Sequence, residues 1–135
     1  MEETTLTVVT VSNVFGLLPI TSYFMSGRYY GATLVSLAVI SSVFMHISET
    51  KHKLPGLYFV EYSNTLLNID RVFTLLVGPY GFYLFSKKIK IFTLVVAVIG
   101  FIASYTGEQT NNLRLYMICH VIWHFCGYLS LYLVC

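Results

Sequence analysis

Two histidines stand inside an almost unbroken apolar segment near the C-terminus, residues 114–135. His120 and His124 are four residues apart, a spacing that places both rings on one side of an α-helix, one turn from each other. Ionisable side chains are costly at membrane depth and usually face a bundle interior or a functional site. The pair therefore indicates a metal or cofactor site. Taken alone, it fits zinc, a transported metal or a b-type haem.

Three further polar side chains belong with this pair. Ser42 and His46 are four residues apart near the end of a second apolar segment, and Asp70 lies early in the next one. If each apolar segment crosses the membrane once, the end of the second segment and the starts of the third and fifth lie on the same side of the membrane. All five side chains then fall in one layer, about a third of the way into the bilayer.

Each of these residue types has a role in metal-assisted hydrolysis. Three neutral imidazoles with one open position are typical of a catalytic zinc site, whose bound water ionises near neutral pH. A nearby carboxylate takes the proton of the water or orients a ligand. A serine hydroxyl donates to the oxyanion that develops on an acyl carbon. This predicts Zn²⁺ held by His46, His120 and His124, with Asp70 and Ser42 as catalytic residues.

Each position also has a structural explanation when it is taken alone. A single intramembrane histidine such as His46 is more often a hydrogen-bonded packing residue, and Asp70 is compatible with an ion pair to a basic group such as Arg71. Serine is common at helix contacts, so Ser42 alone indicates nothing. Cys119, beside the first histidine of the pair, remains an alternative ligand. The joint pattern is stronger because the five positions share one layer.

The elements that must position these residues are membrane helices. Of the 135 residues, 56% are hydrophobic and only 10% are charged, against roughly 25% charged in ordinary globular chains. Each apolar stretch has about 20 residues, the length of one helical crossing. The stretches are residues 5–24, 29–47, 65–85, 91–105 and 114–135. The sequence predicts one domain, residues 1–135: an all-α, integral-membrane, multi-pass bundle of about five transmembrane helices.

The charge of the chain limits which classes of molecule it is expected to bind. The net charge is only +2, and no basic patch is interleaved with aromatic residues, so nucleic acid is not an expected partner. A membrane lipid is the expected substrate, because the site opens within the bilayer boundary. The sequence leaves the oligomeric state open.

These motifs resemble the CREST superfamily of integral-membrane hydrolases. The resemblance lies in SVFMH at 42–46, an aspartate early in the third helix, and HVIWH at 120–124. The superfamily includes alkaline ceramidases, adiponectin and progestin receptors, GPI-lipid remodelling proteins and the myomaker group. It implies a helical bundle with an intramembrane Zn²⁺, in which the three histidines are ligands. It further implies that Asp70 holds the zinc-bound water and that Ser42 supports it.

The chain also departs from that family. The family core has seven helices and this chain has five, an even loss that leaves the last helix entering from the same side. The acidic N-terminal segment with which alkaline ceramidases bind calcium has no counterpart in MEETT, so ceramide is not the preferred substrate. The expected function is hydrolysis of an acyl ester or amide bond of a lipid. Alternatives are a non-catalytic, metal-stabilised receptor or membrane-remodelling protein and a b-haem membrane electron carrier.

Overall fold

The described part of the chain is an all-α helical bundle, as predicted. The computed structural model describes residues 1–50, 54–85 and 91–133, and these ranges contain no strand. The helices are α1 (Glu2–Met25), α2 (Tyr29–Ser48), α3 (Ser63–Phe85), α4 (Ile91–Gln109) and α5 (Leu113–Leu133). A short 3-10 turn at Val60–Tyr62 precedes α3.

Four of the described helices, α1, α2, α4 and α5, are long and apolar enough to cross a membrane. The remaining helix, α3, has 23 residues and so is long enough as well, but its first half carries several polar side chains. The helix bounds agree with the predicted stretches to within a few residues. The largest difference is in α4, which continues to Gln109 rather than ending near Tyr105.

One segment of α1 narrows from an α-helix to a 3-10 helix, at Ser12–Gly16. The hydroxyl of Ser12 donates to the carbonyl of Val9 at 2.6 Å, and the amide of Asn13 donates to the carbonyl of Thr10 at 3.3 Å. Such side-chain bonds to the preceding turn locally distort a helix. Gly16 allows the close approach of α2 here, because a Cβ at this position would overlap the side chain of Val39. The narrowing leaves Ser12 and Asn13 buried inside the bundle.

The helices pack as a row whose order differs from the order in the sequence. Both α2 and α5 pack on α1, while α3 packs on α2 and α4 packs on α5. The row is therefore α3, α2, α1, α5, α4. Among the described residues, the histidine-bearing helices α2 and α5 both pack on α1.

An apolar cluster closes the end of the bundle at which α2 ends and α5 begins. This end cluster consists of Leu6, Val9, Leu54, Leu113 and Tyr116, all buried. The segment after α2 is tied back over the helix end, because the backbone N–H groups of residues 57 and 58 donate to the carbonyl of residue 47 at 2.7 and 3.0 Å. The end cluster thus covers this end of the bundle.

Helices α4 and α5 approach each other closely because α4 carries glycines at the contact. A Cβ at Gly107 would lie 2.5 Å from the backbone nitrogen of Tyr116, and a Cβ at Gly100 would lie 3.2 Å from the backbone nitrogen of Trp123. Ser104 lies between these two glycines on the same helix. Its hydroxyl is therefore held against α5.

Candidate metal centre

Three histidine rings converge in the space between α2 and α5. One ring nitrogen from each of His46, His120 and His124 lies within 4.8 Å of the other two. The ring centroids are 4.7 Å apart for residues 46 and 120, 5.4 Å for 46 and 124, and 4.6 Å for 120 and 124. His46 and His124 are buried and His120 is half-buried. The predicted convergence is observed, and the three rings can hold a metal ion.

The spacing of two of these nitrogens matches adjacent ligands of one ion. Nε2 of His46 lies 3.1 Å from Nε2 of His120. In a tetrahedral site with metal–nitrogen bonds of about 2.0–2.1 Å, neighbouring ligand nitrogens are about 3.3 Å apart. These two imidazoles therefore need almost no movement to share an ion.

His124 is oriented by a serine from α1. Ser12 Oγ lies 2.7 Å from Nδ1 of His124. The single hydroxyl proton of Ser12 is donated to the carbonyl of Val9, so the hydroxyl oxygen accepts a hydrogen bond from Nδ1–H of the histidine. This arrangement selects the tautomer whose lone pair is on Nε2, the nitrogen left for a metal.

His46 is oriented by a carboxylate at the end of its own helix. Nδ1 of His46 lies 3.3 Å from Oε2 of Glu49, and the side chain of Glu49 is only 11% exposed. The same oxygen accepts a hydrogen bond of 3.1 Å from the hydroxyl of Tyr116 on α5. A carboxylate that accepts the Nδ1–H of a metal-binding histidine fixes the ring and raises its basicity as a ligand.

His120 is oriented by a serine from α4. Ser104 Oγ lies 2.8 Å from Nδ1 of His120. Each of the three rings thus has a side-chain partner at Nδ1, and the partners come from α1, from α4 and from the residue that follows α2. This pattern leaves one nitrogen of every ring for a common centre, as expected where the partners of metal ligands are built into a fold.

Asp70 lies at the edge of this centre, on α3. It is half-buried and interacts electrostatically with His46. Ser41 donates to Oδ1 of Asp70 at 3.4 Å. The serine that contacts the carboxylate is therefore one residue before the predicted Ser42, which is buried on α2; the catalytic role of Ser42 stays a prediction. Cys119 is not part of the ligand group found among the described residues.

Five side chains of the site had no role in the sequence interpretation: Ser12, Ser41, Glu49, Ser104 and Tyr116. Serines in apolar helices are too common to indicate a site. Glu49 carried a usable signal, because a residue three positions after a histidine lies on the same face of a helix. From the sequence, Tyr116 was interpreted as an aromatic residue used in packing or at the membrane interface.

Comparisons of the chain with protein-family models, with curated proteins and with solved structures find no match. The candidate metal centre is therefore described by the geometry of this chain alone: three histidines whose Nδ1 atoms are partnered, with an aspartate beside them.

Proposed function

We propose that the chain is a zinc-dependent intramembrane hydrolase that cleaves an acyl ester or amide bond of a lipid. The observation that carries this proposal is the convergence of three imidazoles, each with a side-chain partner at Nδ1. Three histidine ligands with room for a fourth position are typical of catalytic zinc. The motifs at 42–46 and 120–124, which resemble the CREST superfamily, support the same function.

The aspartate supports catalysis rather than structure alone. When bound, a zinc ion supplies Lewis acidity, polarising the acyl carbonyl and making a water nucleophilic near neutral pH. Asp70 accepts the proton that this water loses as its oxygen adds to the acyl carbon. It returns the proton to the oxygen or nitrogen of the leaving group when the acyl bond breaks. Ser41 holds Oδ1 of Asp70, which leaves Oδ2 for the proton, and Ser42 is the proposed donor to the oxyanion.

A lipid substrate is proposed because all three histidines lie on apolar helices. Both α2 and α5, which carry them, are long and apolar enough to cross a membrane. The end cluster, from Leu6 to Tyr116, covers the end of the bundle at which α2 ends and α5 begins. A substrate that dissolves in the membrane would meet such helices from the side.

The ring packing favours a small ion over a b-type haem. In a bis-histidine haem, the porphyrin plane lies between the two axial imidazoles. Here the rings of His46 and His120 contact each other edge to face, with centroids 4.7 Å apart. A third ring, from His124, packs against both. A porphyrin would have to separate all three.

Metal analysis and one conservative variant test the proposal. We expect purified protein to contain about one zinc per chain and the double variant His120→Ala, His124→Ala to contain none. Asp70→Asn should keep the zinc and lower the release of fatty acid from membrane lipids by about 10²-fold or more. Zinc retained by the double variant would contradict the site. Wild-type protein that binds zinc but releases no fatty acid would identify the non-catalytic, metal-stabilised alternative.

A further inference from the structure

Helix α3 presents a polar stripe towards the outside of the bundle. The stripe consists of Asn64, Asn68 and Arg71, which are spaced i, i+4 and i+7 and therefore share one face of the helix. All three residues are exposed. Helix α3 has 23 residues, but it is not one of the four described helices that are apolar enough to cross a membrane. The stripe begins at the second residue of α3 and extends through its first two to three turns, about 12 Å along the axis.

Such a stripe needs a polar partner. An arginine exposed on a membrane helix is costly unless its charge reaches the headgroup region or an anion. The ion pair recorded among the described residues involves His46 and Glu49, not Arg71. Asp70, next to Arg71 in the chain, lies about 100° away around the helix and faces α2 through Ser41. The stripe therefore lies on a different face of α3 from the contact between Asp70 and Ser41, although Arg71 interacts electrostatically with Asp70.

A groove beside the stripe is polar near the start of α3 and apolar further along the helix. The groove has a volume of about 540 Å³ and is lined by Thr65, Asn68, Ile69, Val72 and Phe73. Its polar lining residues lie in the first turns of the helix, and its apolar ones follow, further from the start. A phospholipid divides in the same way, with a charged phosphate at the membrane surface and acyl chains below it.

We propose that the stripe binds the phosphate group of a phospholipid, whose acyl chain lies along the apolar part of the groove. A guanidinium with two neighbouring amides offers several donors to phosphate oxygens, with charge-assisted hydrogen bonds from the arginine. The identification of this phospholipid as a substrate rests on the proposed function. Arg71 follows Asp70 in the chain but lies on another face of α3. The ester bonds of a glycerophospholipid are only a few bonds from its phosphate, so a lipid held at the stripe belongs to the class that the proposed hydrolase would cleave.

Lipid binding tests the stripe without requiring turnover. Purified protein in detergent is offered dioleoylphosphatidylcholine or dioleoylglycerol, which have the same chains and differ in the phosphate headgroup, and bound lipid is counted by native mass spectrometry. Wild-type protein should prefer the phospholipid by about tenfold, the scale of one charge-assisted hydrogen bond. Arg71→Gln should lose this preference and Arg71→Lys should keep part of it. Arg114→Gln, an exposed arginine at the start of α5 on the same side, is the matched control and should keep it.

Two results would overturn the inference. Equal effects of Arg71→Gln and Arg114→Gln would make Arg71 a general interfacial anchor. Loss of a dimer in Arg71→Gln, measured by light scattering, would make the stripe a contact between protein chains. The proposed function fails separately: a protein that hydrolyses no lipid but shows the Arg71-dependent preference retains the phosphate site. A hydrolase whose Arg71→Gln variant cleaves both lipids at wild-type rates and keeps the binding preference lacks the phosphate site.

Discussion

The hydroxyl oxygen of Ser12 lies 2.7 Å from Nδ1 of His124, so α1 takes part in the candidate metal centre although it carries none of the three histidines. Because the Ser12 proton is donated to Val9, the serine also determines which nitrogen of His124 is available. The orientation of a ligand on the last helix thus depends on the 3-10 segment of the first.

Removing this hydroxyl should weaken metal binding without unfolding the bundle. We expect Ser12→Ala to lower zinc affinity by about 10- to 100-fold, the usual effect of losing the partner of a ligating histidine. Affinity is measured by competition with a coloured chelator. The control is Ser36→Ala, because Ser36 bonds the carbonyl of Ala32 in its own helix and, among the described residues, is not part of the histidine site. Equal affinities of the two variants would mean that Ser12 does not orient the ligand.

The carboxylate that joins His46 to Tyr116 should matter more than the phenol. Glu49→Gln removes the charge that raises the basicity of His46, and we expect zinc affinity to fall about tenfold. Tyr116→Phe keeps the ring in the end cluster and the carboxylate on His46, and removes only one donor to Oε2. We expect Tyr116→Phe to lower the zinc affinity, measured by the same chelator competition, by less than Glu49→Gln does. A larger loss for Tyr116→Phe than for Glu49→Gln would contradict this order.

Metal removal should destabilise the bundle, because an ion shared by His46 and His120 ties α2 to α5. A ligand that binds only the folded state stabilises it by about 2.7 kcal/mol at a free concentration of 100 times Kd. We expect a chelator to lower the Tm of wild-type protein in detergent, and added zinc to restore it. The double variant His120→Ala, His124→Ala should melt at the same temperature with or without chelator. A chelator effect of equal size in that variant would place the stabilising ion elsewhere.

The contact between α4 and α5 should be intolerant of a single methyl group at Gly107. A Cβ there would lie 2.5 Å from backbone nitrogen of Tyr116, and backbone cannot move aside as a side chain can. We expect Gly107→Ala to lower the free energy of unfolding by about 1–3 kcal/mol. It should also reduce zinc affinity, because Ser104 moves away from His120. Gly127→Ala is the control, since a Cβ at Gly127 meets nothing within 4 Å. The measurement is the thermal melting of both variants, and equal melting temperatures would contradict the prediction.

Local features of the sequence were enough to predict the helices and the layer that the histidines share. Apolar length gives each crossing, and a spacing of four residues gives a shared face. An ordered count of crossings then puts His46 in the same layer as His120 and His124. That the rings also meet depends on helix packing, and the structure brings them together because α2 and α5 both pack on α1.

The partners of the histidines depend on helix rotation and on neighbours in space, which the sequence does not contain. Ser41 and Ser42 differ by 100° around α2, and only the packing of α3 decides that Ser41 meets Asp70. Ser12 and Ser104 belong to helices that were assigned no function, and they reach the centre because α1 and α4 both pack on α5. The sequence interpretation therefore missed five side chains of the site, which come from different parts of the chain.

The closed end of the bundle has a kinetic consequence for the proposed enzyme. If lipids reach the histidines only by sideways diffusion, then the effective concentration of substrate is its mole fraction in the surrounding membrane or micelle. Diluting the lipid with inert detergent at constant total amount would slow turnover, whereas diluting the whole suspension with buffer would leave the turnover per protein unchanged. Fatty acid leaving by the same route would accumulate in that two-dimensional phase and compete with fresh substrate.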